Sequence, residues 1–145
     1  ADFNRILKGY RKDWHVYACG PHRYMEGVIE AALAEGFPED ATHVEYFSTP
    51  EIPEYENHAF ILKLGKSNKE IAVPADKDAA TVLVEHGYAV DLKCSDGICG
   101  ICQCGLLDGE VEHRDFVLSK RQRQSTIILC QSRAAKAGGI LHIDL

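Results

Sequence analysis

Apolar and polar positions alternate differently in the two parts of this chain. Residues 15–19 are short, aromatic and β-branched and end at Gly20-Pro21, which predicts a strand running into a turn. Met25, Val28, Ile29, Ala32 and Leu33 then recur at helical spacing, so residues 24–36 read as a helix stopped by Gly36. Residues 42–47 read as a second strand, completing a strand–helix–strand unit of about 30 residues, the size of a βαβ element. Residues 48–57 hold two prolines and three glutamates without periodicity, which predicts a linker. Beyond it, Phe60, Leu62 and Leu64 share one face, residues 65–68 have turn chemistry and residues 70–73 complete a hairpin. Asp76 or Asp78 can cap a helix from about residue 79 to 86, closed by Gly87. Leu106, Leu107 and Val111 flank an Asp108-Gly109 turn, and residues 126–129 and 140–145 read as closing strands. The second part is therefore expected to form an independent mixed sheet with one helix packed across it.

Composition narrows the class. The 145 residues are 46% hydrophobic with a formal net charge of −6, which excludes global disorder and collagen-like structure. No run approaches the roughly 18–20 apolar residues of a membrane-spanning helix, and residues 1–5 have no apolar core of the signal-peptide kind. Residues 1–53 hold nine Asp/Glu against five Lys/Arg, and residues 54–145 thirteen against eleven. Neither part offers the basic face that nucleic acid demands.

Four of the six cysteines fall within residues 94–104, with Cys19 and Cys130 outside. Such crowding suits a metal or cluster loop in a reducing compartment better than a disulfide framework. Cys94-Ser95-Asp96-Gly97-Ile98-Cys99-Gly100-Ile101-Cys102 is C-x4-C-x2-C, and Cys130 stands as a distant fourth. This is the plant-type [2Fe–2S] spacing. Gly97 and Gly100 permit close backbone approaches, and the turned loop can aim N–H groups at the anionic sulfurs. Two other readings use the same residues. Tetrahedral zinc also takes four cysteines, though usually as two C-x2–4-C pairs. Cys99 and Cys102 form a C-x-x-C thiol pair, although the flanking sequence lacks a thioredoxin-like βαβ context. Cys104 shares a strand face with Cys102 and reads as a small buried residue rather than a ligand.

Three segments carry a resemblance. Residues 94–102, then Leu107-x-Gly109-x-Val111-x-His113-Arg114-Asp115-x-Val117-Leu118, then Cys130-Gln131-Ser132-Arg133-Ala134 closely resemble the C-terminal ferredoxin domain of the phthalate dioxygenase reductase family, which includes vanillate O-demethylase reductases. Upstream, Val16-Tyr17-Ala18-Cys19-Gly20-Pro21-His22-x-x-Met25 resembles the Cys-Gly-Pro segment near the nicotinamide in that family's NAD domain. Glu45-Tyr46-Phe47 resembles the last strand of that domain, whose final aromatic packs near the flavin. The resemblance implies an α+β chain. Residues 58–145 would be a β-grasp [2Fe–2S] ferredoxin domain, residues 48–57 a linker, and residues 1–47 the C-terminal half of a Rossmann-like α/β NAD domain.

The resemblance also implies site residues and partners. Cys94, Cys99, Cys102 and Cys130 would ligate the cluster, and Cys19, Gly20, Pro21 and Phe47 would lie on the nicotinamide and flavin side. FMN and NADH are implied for the complete protein, a Rieske-type aromatic oxygenase or O-demethylase as electron acceptor, and the cytoplasm as compartment. In the family a flavin barrel and a glycine-rich pyrophosphate loop precede this region, whereas these residues contain no G-x-G-x-x-G. The expectation is that this stretch alone lacks flavin and most of the NAD site. His113-Arg114-Asp115 reads as a structural polar cluster fixing the turn or a domain contact. Arg133 reads as either a donor near the cluster or a surface residue.

Overall fold

The structure, a computed structural model, describes residues 2–46 and 53–145. The chain divides into two compact units, Ala1–Ile52 and Pro53–Leu145.

In the first unit, α1 (Phe3–Leu7) precedes β1 (Val16–Cys19), α2 (His22–Ala34) and β2 (Thr42–Glu45). β1 and β2 are parallel with Val16 opposite Thr42 and Cys19 opposite Glu45. α2 ends in a Schellman arrangement: Phe37 N–H donates to Ala32 O (3.0 Å), Gly36 N–H donates to Leu33 O (3.1 Å), and Gly36 has φ +92°. Met25, Val28, Ala32 and Phe37 pack with Val16 and Ala18 into a small core. Leu33, expected on the buried stripe, is 44% exposed, and Ala31 is buried instead. Leu33 sits about 100° round the helix from Ala32, on the far side from Val28. α1 is too short to show periodicity, and it docks where α2 is thinnest: a Cβ on Gly27 would meet the Phe3 ring at 3.2 Å.

The second unit is built on a five-stranded sheet. Its strands are β3 (Phe60–Leu64), β4 (Glu70–Val73), β5 (Gln103–Asp108), β7 (Thr126–Ile128) and β9 (Ile140–Ile143), in the order β4-β3-β9-β5-β7. β3 and β9 run parallel, and the other neighbours are antiparallel. A short ribbon of β6 (Val111–Glu112) and β8 (Arg133–Ala134) lies beside it. One helix, α3 (Ala79–Glu85), is packed into the shared core through Ala79, Ala80, Val82 and Leu83. A mixed sheet whose first and last strands pair in parallel, crossed by a single helix, is the β-grasp arrangement. Alternation explains the burial: Phe60, Leu62 and Leu64 are buried while Ile61 and Lys63 are only partly so. Of the two capping candidates, Asp78 does the work, with Oδ1 accepting from Thr81 N–H (2.8 Å) and Oδ2 from Thr81 Oγ1 (2.7 Å). Gly109 has φ +115°, and a Cβ there would sit 2.5 Å from Ile140 O, so only glycine fits this turn.

Two buried arginines tie the periphery down. Arg133 is neither a surface residue nor a donor near the cysteines. Its guanidinium donates to the carbonyls of His58 (2.9 Å), Pro74 (2.8 Å) and Lys77 (2.8 Å) and lies over the Phe60 ring. Arg114 donates to Asn57 Oδ1 (2.6 Å) and Glu56 O (3.2 Å), pairs with Glu112 and covers the Tyr55 ring. Residues 53–57 of the expected linker thus belong to the second unit, and residues 48–52 lie outside the described residues.

Leu141, fully buried in β9 at the sheet centre, is expected to cost about 2–5 kcal/mol when changed to alanine. Asp78→Ala should cost about 1 kcal/mol through loss of the cap. Urea unfolding followed by circular dichroism checks both values and their order.

Candidate metal centre

The chain between α3 and β5 carries Cys94, Cys99 and Cys102, and Cys130 follows directly on β7. The ladder brings the last two together. Gln103 lies opposite Ile128 in the β5–β7 pair, and one step further Leu129 N–H donates to Cys102 O (3.2 Å). Cys102 and Cys130 thereby meet, and each thiol acts on the other's ionisation. Cys94 and Cys99 form a second thiol–thiol contact within the loop. The Cys94 charge is felt at Cys130, so the two pairs are neighbours.

The loop backbone is shaped to serve sulfur. Ser95 (φ +59°), Gly97 (φ +71°) and Gly100 (φ +71°) are all left-handed, which turns successive N–H groups inward. Asp96 N–H donates to Cys94 Sγ at 3.4 Å, joined by the N–H groups of Ile98 and Cys99. Gly97 N–H faces Cys130 Sγ, and the N–H groups of Cys102, Leu129 and Cys130 face Cys102 Sγ. Burial opposes ionisation of Cys94, yet these donors and the Cys99 thiol outweigh it and bring the thiol down to about 7. Hydrogen bonding from Cys130 and the surrounding N–H groups bring Cys102 down to about 6 despite its burial. Cys130 is pushed up by its bond to Cys102, by burial and by the charge on Cys102. The Cys102–Cys130 pair therefore shares one proton and holds one negative charge readily.

The donor set fits a two-metal cluster better than a single ion. Among the described residues, no three His, Cys, Asp or Glu side chains gather where one ion could be held. The thiols stand two and two, as a [2Fe–2S] cluster with two protein sulfurs per iron requires, and backbone N–H groups already face three of the four sulfurs. Cys104 stands apart, its thiol 3.7 Å from Asp144 O and pushed up by burial.

Two walls hold the loop. Gln131, next to Cys130, donates from Nε2 to Ser95 O (2.7 Å), and Phe116 N–H donates to Gly97 O (3.1 Å). Gln131 lies in the Cys130–Ala134 segment that carries the resemblance, but no spacing rule marks an amide as a brace. Behind the second wall, Asp115 Oδ2 accepts from Leu118 N–H (2.8 Å) and Val117 N–H (3.3 Å), and Arg123 Nη2 donates to Asp115 O (2.8 Å). The expected structural polar cluster at residues 113–115 is thus split, Arg114 facing the 55–57 segment and Asp115 facing the loop.

The model of the 2Fe-2S iron-sulfur cluster binding domain matches residues 62–135, half of the chain and all four of these cysteines. The chain belongs to this family. Electron transfer through a [2Fe–2S] cluster is accordingly what the second unit of this 2Fe-2S protein does. Over 99% of its length the chain is 33% identical to the vanillate O-demethylase oxidoreductase of Acinetobacter baylyi, of which it covers 45%. Its structure matches phthalate dioxygenase reductase, described as a modular structure for electron transfer from pyridine nucleotides to [2Fe–2S], with TM-score 0.67 and 32% identity, over all of this chain and 44% of that one. It also matches an intact type IV self-sufficient cytochrome P450 monooxygenase with TM-score 0.68 and 33% identity, over all of this chain and 19% of that one. The chain spans about half the length of the curated relatives it matches.

In the first unit, Cys19 is exposed at the end of β1, and Gly20 and Pro21 join it to α2. Pro21 O accepts from Tyr24 and Met25 N–H and so starts the helix. Phe47 lies outside the described residues.

Gly97→Ala forces a Cβ to within 3.0 Å of Gln131 Cγ and 3.3 Å of Asp115 Cα at a left-handed φ. The iron and sulfide content of the purified protein should fall well below that of wild type, while Gly87→Ala, equally left-handed (φ +83°) but with nothing within 4 Å of a Cβ, keeps its iron.

Proposed function

We propose that Cys94, Cys99, Cys102 and Cys130 ligate the [2Fe–2S] cluster, and that the chain is the electron-delivering end of an NADH-dependent flavin reductase. The observation that carries the assignment is the two-and-two meeting of these thiols under inward-facing N–H groups. A bound [2Fe–2S] cluster accepts and releases one electron at a time, at roughly −400 mV in plant-type ferredoxins. The chain's own residues set the conditions for this. N–H donors from residues 96–99 and from 129 and 130 offset thiolate charge that grows on reduction. Cys102 and Cys130 are buried and exclude water, whereas Cys99 is exposed and Cys94 partly so. Electrons would leave through the Cys94–Cys99 side, where Leu92 and Ile101 are exposed apolar side chains a partner could cover.

The acceptor is proposed to be a Rieske-type oxygenase or O-demethylase component, on the strength of the likeness to the vanillate and phthalate reductases. FMN and NADH belong to the complete reductase in this reading, with Cys19, Gly20, Pro21 and Phe47 on the nicotinamide and flavin side. A haem acceptor is the second reading, favoured by the likeness to the self-sufficient P450. Among the described residues no helix is long and apolar enough to cross a membrane, and six free thiols suit the reducing cytoplasm proposed for it.

Serine at each cysteine, read by iron stoichiometry and visible spectrum, tests the ligands. Cys94→Ser, Cys99→Ser, Cys102→Ser and Cys130→Ser should lose the cluster or alter its spectrum, and Cys19→Ser and Cys104→Ser should keep it unchanged. Loss in Cys104→Ser with an unaltered cluster in Cys130→Ser would overturn the assignment. The chain as given should take electrons from dithionite yet fail to reduce cytochrome c with NADH. NADH-driven turnover without an added flavoprotein would contradict the division of labour.

A further inference from the structure

The pair His113 and Asp115 holds an unfilled proton position behind the cysteine loop. His113 Nε2 stands 3.1 Å from Arg123 O, and a carbonyl only accepts, so the imidazole N–H points there. This leaves the Nδ1 lone pair facing Asp115 Oδ1 at 3.5 Å. Apart from each other these two buried atoms have no hydrogen-bond partner, and the side-chain exposures are 13% for His113 and 0% for Asp115. Two lone pairs facing each other in a buried site repel, and a proton between them makes a charge-assisted bond. Asp115 is held as a carboxylate from its other side, where Oδ2 takes two N–H bonds and Arg123 Nη2 lies 3.6 Å away. Asp115 from the same loop and Arg123 from the single-turn helix Gln122–Gln124 are the charged groups that face the ring. Burial, reinforced by Arg123 and opposed by Asp115, keeps the imidazole neutral at rest.

The position is coupled to the cysteine loop through backbone. Phe116 N–H, adjacent to Asp115, binds Gly97 O, and Gly97 N–H faces Cys130 Sγ. The Cα of Asp115 would lie 3.3 Å from a Cβ on Gly97. A negative charge arriving at the sulfurs is therefore close to the pair, in a buried setting where salt screens poorly.

We propose that His113, positioned by Asp115 and Arg123, takes up a proton at Nδ1 as the centre is reduced. This rests on the ligand assignment proposed above. One electron enters from the donor, one proton enters from solvent, the neutral imidazole becomes imidazolium, and reoxidation returns the proton. His113 is a positioning and charge-compensating residue and touches neither donor nor acceptor.

The test is the midpoint potential of the purified, cluster-loaded chain between pH 6 and 9, read by dye-mediated titration of the visible spectrum. Because reduction takes up a proton, the reduced form loses ground as pH rises. The expected effect is about a three- to tenfold fall in the reduced-to-oxidised ratio per pH unit over part of the range, tenfold being the limit for one proton per electron. His113→Gln should abolish the slope with the spectrum unchanged. His142→Gln, at the other described histidine with a buried, unpartnered ring nitrogen, should retain it. If His113→Gln does not hold its cluster, Asp115→Asn decides: it removes the charge that draws the proton and should move the sloping region at least tenfold in proton concentration toward acid. A flat wild-type profile, a slope surviving His113→Gln or an unmoved slope in Asp115→Asn overturns the proposal. A wild-type chain with no reducible cluster overturns the ligand assignment and this inference together, whereas a cluster with a flat profile overturns this inference alone.

Discussion

Cys102 and Cys130 are distant in sequence and meet because the β5–β7 ladder runs past its last paired strand residues. The bond from Leu129 N–H to Cys102 O is the step that joins the end of one strand to the start of the other. Everything on the cysteine loop is built out from that fixed edge. Had the register slipped by one residue, Leu129 N–H would no longer meet Cys102 O and the two thiols would be carried apart. The hydrophobic sheet therefore fixes the position of the inner thiol pair, and the loop has only to fold the outer pair back over it. That loop accomplishes this with three left-handed residues, one of which, Ser95, carries a side chain and is held from outside by Gln131.

The two buried arginines show how a small domain fixes segments that have little apolar surface of their own. Each satisfies backbone or amide oxygens that would otherwise be left without partners in a buried place, which is where a hydrogen bond is most costly to lose. Arg133 donates its hydrogen bonds only to carbonyls, so its desolvation is met by dipoles rather than by a carboxylate. Burial accordingly lowers its pKa. Arg114 instead has Glu112 beside it and an aromatic ring beneath it. In an extended segment neighbouring side chains point to opposite sides. Residues 113–115 exploit this: Arg114 grips residues 55–57 on one side while His113 and Asp115 face inward on the other.

How much of this was legible follows from range. The β3–β4 hairpin, the capped α3 and the C-x4-C-x2-C spacing are local patterns, and the structure has a hairpin, a cap at Asp78 and two thiol contacts there. The parallel pairing of β3 with β9 is not local, and no residue in either strand announces it. Sequence leaves Arg133 as either a donor near the cysteines or a surface residue, and only the fold brings His58, Pro74 and Lys77 around it. Leu33 was misread because hydrophobicity alone does not say which edge of a stripe the sheet covers. α1, β6 and β8 are too short to carry a period, and they exist through what they pack against.

The same range argument separates what the cysteines do as individuals. Spacing treats Cys94, Cys99, Cys102 and Cys130 as equivalent, but the fold does not. The inner pair is buried at the end of a ladder, and its thiols share a proton. The outer pair lies on a turned loop, with Cys99 exposed and Cys94 receiving three N–H bonds. An added electron is stabilised where donors and solvent are nearest and is costly where neither can follow it. On the proposed ligation the outer pair has solvent at Cys99 to answer added charge, while the inner pair relies on the N–H groups that face Cys102 and Cys130. A compensating proton is most useful to the inner pair, whose thiols are buried. Gly97 serves that pair: its N–H faces Cys130 Sγ, and its carbonyl takes the N–H of Phe116, next to Asp115 and close to His113.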